Sequence, residues 1–147
     1  MTKENLISLL TNALSRAGFK RKGNNWVDNN GEVSKIVNLQ KSEFSNSYYL
    51  NYGYVIKPLP LNGAKMHIYL RLSTKDGEVK DTVSELLNLS NDIPDCQRYR
   101  RLHDLIFEKL LFELGSINSE EEIRQKILDG TWRQVVPISV RRYFHIT

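Results

Sequence analysis

The sequence predicts an α+β fold, with an antiparallel sheet of about four strands in a meander covered on one face by N-terminal and C-terminal helices. The first observation behind this prediction is that apolar and polar residues alternate through much of 33–72, which is the period of a half-buried β-strand. The second is that apolar residues recur at helical spacing before and after that region. The chain has 147 residues, which is a common size for one domain, so we expect a single domain over 1–147.

The first predicted element is an amphipathic helix over about residues 3–17, because Leu6, Leu10 and Leu14 fall on one stripe. Gly18 can adopt the left-handed conformation that ends many helices, and Phe19 can fold back on the last turn. We therefore expect the helix to stop at this point and to pack its apolar stripe against other apolar residues.

The strands follow the basic segment 20–22. A first strand is predicted around Trp26, and the sequence Asp-Asn-Asn-Gly at 28–31 is a strong hairpin signal. Alternating residues then predict strands over 32–40, 48–57 and 66–73, and the prolines at 58 and 60 separate the last two because proline cannot remain in a sheet interior. One face of this sheet is apolar and the other is mixed, so helices are expected to cover the apolar face.

The C-terminal half predicts those helices. A weak helical pattern covers 79–89, and a strongly apolar one over 97–114 predicts the central buried helix. Ser119, three residues before Glu122, fits a capping box for a further helix that Gly130 ends. The last segment, 135–146, fits either a short strand or another turn of helix.

Composition limits the kinds of partner and the cellular compartment that we expect for the protein. The net charge of +4 and the isoelectric point near 9.2 permit an anionic partner without requiring one. The single Cys96 cannot form an internal disulfide, which suits a reducing compartment, and we expect the cytoplasm. The apolar pattern near the start is too broken for a signal peptide, and no window approaches the roughly 20 apolar residues of a membrane span.

Three segments resemble the bacterial domain of unknown function 4304 family: AGFKRKGNNW at 17–26, VNLQKS at 37–42 and YYLNYGYVI at 48–56. In that family an N-terminal helix ends in a Gly-Phe-Lys-like turn and leads into strands with Asn-Leu-Gln-Lys-Ser-like and Asn-Leu-Gly-like segments. Tyr52 departs from the last of these at its middle position. The resemblance covers about the first half of the chain. It implies one α+β domain in a small cytosolic bacterial protein whose biochemical role is unassigned.

The polar face of the predicted sheet is the first candidate site. If the strands pair in sequence order, it gathers amide, imidazole, phenol and guanidinium groups from Gln40, Asn51, His67, Tyr69 and Arg71. Such groups can orient an anionic or amide-bearing ligand by hydrogen bonding. The competing interpretation is an ordinary solvated sheet surface.

Basic segments form the second candidate site, for nucleic acid. They contain Lys20, Arg21 and Lys22 near the start, Arg98, Arg100 and Arg101 before the central helix, and a third cluster at 141–143. Basic residues interleaved with tyrosines can track a phosphate backbone and stack bases. The competing interpretation is separate solvated segments, because acidic residues lie between them.

No catalytic residue, metal site or cofactor is predicted. Cys96, His103 and Asp104 could be written as a nucleophile arrangement, but Cys96 and His103 lie about 10 Å apart along a helix, too far to share a proton. No His or Cys pair has zinc-site spacing, and no glycine-rich phosphate loop occurs.

The sequence therefore favours a non-enzymatic module that binds another protein, and an inhibitor or immunity-type role that blocks a toxin is one form of such binding. A nucleic-acid-binding accessory domain is the alternative. A small-molecule enzyme using His67 and Arg71 stays open if those residues line a closed pocket.

Overall fold

The structure, a computed structural model, describes residues 1–73 and 82–147. It confirms the predicted α+β class. The elements in chain order are α1 (Lys3–Arg16), β1 (Lys20–Lys22), β2 (Asn25–Asp28), β3 (Val33–Lys41), β4 (Tyr48–Ile56), β5 (Ile68–Arg71), α2 (Thr82–Leu87), α3 (Asp95–Leu105), a π-helical segment (Ile106–Leu110), α4 (Leu111–Gly115), α5 (Glu120–Leu128) and α6 (Ile138–Tyr143).

The strands form one antiparallel meander in the order β1-β2-β3-β4-β5. The sheet therefore has one strand more than the sequence predicted. The additional strand is β1, which pairs with β2 as an edge and consists of three exposed basic residues. Pattern analysis misses it because a strand without apolar residues has no alternation to detect.

The helices cover the face of the sheet that carries the large apolar side chains. Trp26 of β2 is completely buried there, and its indole Nε1 donates to Thr11 Oγ1 of α1 at 3.1 Å. On β4, the Tyr54 hydroxyl donates to the Glu113 carbonyl of α4 at 3.0 Å, and its ring stacks on Trp132. Each large apolar side chain buried in this way contributes about 1.5–3 kcal/mol of transfer free energy.

The end of α1 matches the prediction in detail. Gly18 has a φ of +95°, and the Phe19 amide donates back to the Leu14 carbonyl at 3.0 Å. The Gly18 amide donates to Ser15 at 3.2 Å, which completes a Schellman cap. This cap turns the chain sharply into the edge strand β1.

The C-terminal helices refine the prediction. The weak pattern at 79–89 corresponds to α2, although 79–81 lie outside the described residues. The long helix predicted over 97–114 is interrupted by the π-helical segment between α3 and α4. Ser119 accepts the Glu122 amide at 3.1 Å as the cap of α5, and the end of the chain forms the helix α6 instead of a strand. Among the helices that the structure describes, none is long and apolar enough to cross a membrane.

Candidate functional site

The second face of the sheet carries mainly polar side chains, some buried and some exposed, together with a few apolar ones, and we call it the open face. Cross-strand register places one residue of each strand in a row across it. We call this set the polar row, and it consists of Lys22, Asn25, Asn38, Asn51 and Arg71.

Apart from Lys22, the side chains of the polar row are joined by hydrogen bonds from strand to strand. Asn38 Nδ2 donates to Asn25 Oδ1 at 2.7 Å, and Asn51 Nδ2 donates to Asn38 Oδ1 at 3.1 Å. Arg71 Nε donates to Asn51 Oδ1 at 3.1 Å. Gln40 lies beside the row, and its Oε1 accepts from Asn51 Nδ2 at 2.9 Å and from Arg71 Nη2 at 3.2 Å. The result is a continuous network from β2 to β5.

Burial divides this network into an inner and an outer part. Asn51 is 0% exposed and Asn38 is 2% exposed, whereas Gln40 and Arg71 are exposed. Buried amides that satisfy one another resist rotation, since breaking any bond leaves a polar group without a partner. The buried amides therefore fix Gln40 and Arg71, whose outer surfaces remain accessible.

Aromatic rings lie beside the network. The Arg71 guanidinium carbon stands 4.0 Å from the centroid of the Tyr49 ring, which is cation–π contact. Tyr69, on the same face of β5 opposite Gly53, is 39% exposed. The β4–β5 side of the open face thus combines a held guanidinium with phenol rings.

The open face is electropositive. Register places Lys20, Lys22 and Arg71 on it, and none of the residues that the five described strands direct to this face is acidic. A surface with one sign of charge attracts ligands of the opposite sign and favours their association.

The sequence predicts His67 in the same site, but this residue has a structural role, because both of its ring nitrogens bond to backbone groups. Its Nδ1 accepts the Ile56 amide at 2.9 Å, and its Nε2 lies 3.2 Å from the Pro60 carbonyl, to which it donates. The ring is 5% exposed and connects the end of β4 to the following loop. The structure therefore brings Gln40, Asn51 and Arg71 into contact, places Tyr69 beside them, and leaves His67 no ring nitrogen for a ligand.

The first basic segment is split between the two sides of the sheet. Lys20 and Lys22 lie on the open face, whereas Arg21 pairs with Trp26 and points the other way. Its Nε donates to the Gly23 carbonyl at 2.8 Å. Two of the three basic side chains therefore contribute to the electropositive face.

The second basic segment is on α3. Arg98 is 1% exposed, and its guanidinium donates to the backbone carbonyls of Leu86, of Asn88 at 3.1 Å and of Asn91 at 2.8 Å. It is unavailable to a phosphate. Arg101 is exposed next to α2, while Arg100 is exposed elsewhere on the helix. Arg98 therefore holds the chain between α2 and α3. Of the three arginines in this segment, Arg100 and Arg101 face solvent.

The network also contains Asn25, which is not among the site residues predicted from the sequence. The alternating pattern marks the face of a strand but not which residues stand opposite each other. The hairpin signal at 28–31 does not supply this register either, because a two-residue loop would place Asn25 opposite Ser34, whereas the longer loop in the structure pairs Asn25 with Asn38.

The fold and the open face define a small α+β protein with a preorganised, cationic sheet surface. Residues 10–139 match the family described as Domain of unknown function (DUF4304), and because this match covers most of the chain, the protein belongs to that family. No curated protein and no solved structure matches the chain. The resemblance in the first half of the sequence is thus confirmed, and the match also includes the helices.

Proposed function

We propose that the protein is a non-enzymatic binding module whose open face takes an acidic surface of another protein. The observation that carries this proposal is the Arg71 guanidinium, which is stacked on Tyr49 and hydrogen-bonded to Gln40 and Asn51 on a face whose strands present no carboxylate. The proposed setting is the bacterial cytoplasm, where the unpaired and exposed Cys96 suits a reducing environment.

The composition of this surface fits a protein interface. Arginine and tyrosine are the side chains that most often dominate binding free energy at protein interfaces. Here Arg71 is held in place before any partner arrives, so less side-chain entropy is lost on association. The planar guanidinium can bind a carboxylate through two parallel hydrogen bonds.

The same chemistry supports an inhibitor or immunity-type role. Many hydrolytic enzymes carry carboxylates in their active sites, and an electropositive surface is complementary to such a site. Lys22 and Arg71 stand at opposite ends of the polar row and so spread positive charge across the whole width of the sheet. A preorganised and basic sheet face can cover an acidic opening without entering it.

Single-stranded nucleic acid is the second candidate, favoured by Tyr69 and the lysines of β1. Such binding relies on several aromatic rings that are free to stack on bases. Arg71 already occupies one face of Tyr49, and Arg98 is engaged with backbone carbonyls. Tyr69 is therefore the ring of the open face that is free to stack on a base. For this reason a protein partner is better supported than a nucleic acid.

An enzyme that uses His67 and Arg71 has less support. Both ring nitrogens of His67 are bonded to backbone groups, which is the arrangement of a structural histidine. Arg71 lies on an exposed sheet surface instead of in a closed pocket.

Site-specific photocrosslinking in the source cell tests where a partner binds. A photoreactive phenylalanine analogue replaces Tyr69 on the open face, and in a matched control it replaces Phe112, which is 75% exposed on α4. We expect one protein to crosslink from position 69 and not from position 112. Nucleic acid crosslinked from position 69, or the same proteins crosslinked from both positions, would overturn the proposal.

The crosslinked protein is then purified, and its affinity is measured by calorimetry. We expect Arg71→Ala to weaken binding about 30-fold, as loss of an arginine that dominates an interface does. Arg101→Ala, which removes an exposed charge beside α2, should leave the affinity nearly unchanged. Equal affinities for the three proteins would show that the open face is not the interface.

A further inference from the structure

A cleft lies between α1 and α3, in the helical layer behind the sheet. It consists of two adjoining cavities of about 400 and 440 Å³, which share Leu9, Asn12 and Tyr99. Clefts of about 300–1,000 Å³ are typical of small-molecule sites. The helices separate this cleft from the open face, so it is independent of the proposed protein interface.

One wall of the cleft is aromatic. Tyr99, His103 and Phe107 recur every fourth residue, so they follow one side of the helix. The centroids of Tyr99 and His103 are 6.4 Å apart with nearly parallel planes, and those of His103 and Phe107 are 4.4 Å apart. Tyr99 is 48% exposed. Tyr99 stands at the end of this row of contacting rings, so it offers an aromatic surface on which a flat ligand can stack.

The opposite wall is polar and lies on α1. Asn12 and Arg16 are one helical turn apart, a rise of about 6 Å. Among the described residues, neither the Asn12 amide nor the Arg16 guanidinium has a hydrogen-bond or ion-pair partner, and both line the cleft. An asparagine amide can pair with the donor and acceptor edge of adenine, and arginine is the usual ligand of a phosphate.

The helix that carries the aromatic wall is irregular at the cleft. Phe107 lies within the π-helical segment Ile106–Leu110. Short π-helical insertions weaken a helix and are found frequently at functional sites. This second observation supports a binding role for the cleft.

We propose that this cleft binds a nucleoside monophosphate. The base stacks on Tyr99, the Asn12 amide hydrogen-bonds to the edge of the base, and Arg16 pairs with the phosphate. The ribose covers the one-turn separation between Asn12 and Arg16.

Calorimetric titration with adenosine monophosphate tests the proposal, with adenosine, ribose 5-phosphate and inorganic phosphate as comparison ligands. We expect adenosine monophosphate to bind most tightly, adenosine more weakly, and the two ligands without a base least. Tyr99→Ala should weaken adenosine monophosphate about 10-fold. Arg16→Gln should reduce its affinity to that of adenosine while adenosine binding stays unchanged.

Controls separate these effects from damage to the fold. Phe112→Ala removes an exposed ring on α4 outside the cleft and should bind like the original protein. Circular dichroism establishes that each variant is folded, and Asn12→Ala serves as a second probe of base recognition if Tyr99→Ala does not fold. Absence of adenosine monophosphate binding, equal binding of inorganic phosphate, or unchanged affinity in folded Tyr99→Ala or Asn12→Ala would overturn the proposal.

Discussion

The guanidinium of Arg71 covers the ring of Tyr49, with 4.0 Å between the guanidinium carbon and the ring centroid. Arg71 pairs directly with Asn51, so Tyr49 is its diagonal neighbour on β4. The hydrogen bonds to Asn51 and Gln40 place the guanidinium over this ring. Charge, planarity and position are therefore combined in one side chain.

We first predict that Arg71→Lys loses nearly as much partner affinity as Arg71→Ala, although it keeps the charge. An ammonium group cannot stack flat on Tyr49 or bind a carboxylate in the two-pronged manner of arginine. The affinities of the purified partner for the three proteins measure this. If Arg71→Lys binds like the original protein, net charge alone governs recognition.

Asn51→Leu is expected to lower the free energy of unfolding by about 2 kcal/mol, because the buried Asn38 amide oxygen loses its donor. Gln40→Leu changes an exposed neighbour and should cost less than about 1 kcal/mol. Urea unfolding followed by circular dichroism compares the two. Equal losses would mean that the burial of Asn51 has no energetic role.

Arg98→Met should be among the more damaging single changes, with a loss of about 3 kcal/mol or more. Its guanidinium is the donor to three carbonyls between α2 and α3. Arg100→Met, at an exposed position two residues further on, should stay within about 0.5 kcal/mol of the original protein. Thermal unfolding measures the stability of both variants. Equal midpoint temperatures would contradict the structural role of Arg98.

Gly53→Ala is expected to destabilise the sheet by about 3 kcal/mol or more. A Cβ at this position would stand 1.7 Å from the Ile68 carbonyl oxygen and 2.7 Å from Met66 Sδ. Gly115→Ala is the matched control, since a Cβ there meets nothing within 4 Å. A small loss at Gly53 in urea unfolding would contradict this close approach of β5 to β4.

Stability should also fall in alkaline solution. Burial, followed by the hydrogen bond to Glu113, raises the pKa of the Tyr52 phenol above its ordinary value of 10.0, and burial likewise raises the pKa of Tyr54. The unfolded tyrosines lose their protons at lower pH than the folded ones. The stabilisation from these two phenols is therefore fully present below pH 10.0, and it is lost as the pH rises from there through the folded pKa values.

Urea unfolding in a series of alkaline buffers measures this dependence. The expected slope is about 1.4 kcal/mol per pH unit for each tyrosine that stays protonated only when folded. Tyr52→Phe should reduce the slope. A stability that does not change above pH 10.0 would show that neither phenol is protected.

Alternation in the sequence was sufficient to predict which side chains of β3 and β4 share a face. It placed Gln40, Asn51 and Arg71 together on the assumption that consecutive strands pair in order, and the strand order in the structure confirms that assumption. The edge strand β1 and the π-helical segment were missed. Neither has a periodic apolar signal, since one is wholly polar and the other lies inside a continuous apolar helix.

Arg98 and His67 show a different limit of sequence analysis. Both look like exposed polar residues in the sequence, yet both are buried and bonded to backbone groups. Their partners belong to loops whose path depends on tertiary packing, and no local pattern specifies that path. Charge and residue type alone therefore suggested functional roles for two side chains that hold loops in place.

The amide hydrogen bonds of the polar row also favour one register of the strands over the alternatives. Since neighbouring side chains alternate between the faces of a strand, a slip of β4 by one residue would replace Asn51 by Leu50 or Tyr52 in the row. Such a misaligned sheet would lose the bonds to Asn38 and Arg71 and turn apolar groups towards water. The chemistry of the exposed surface is thus linked to the choice of one pairing among several, so a redesign of that surface must preserve the alignment as well as the charge.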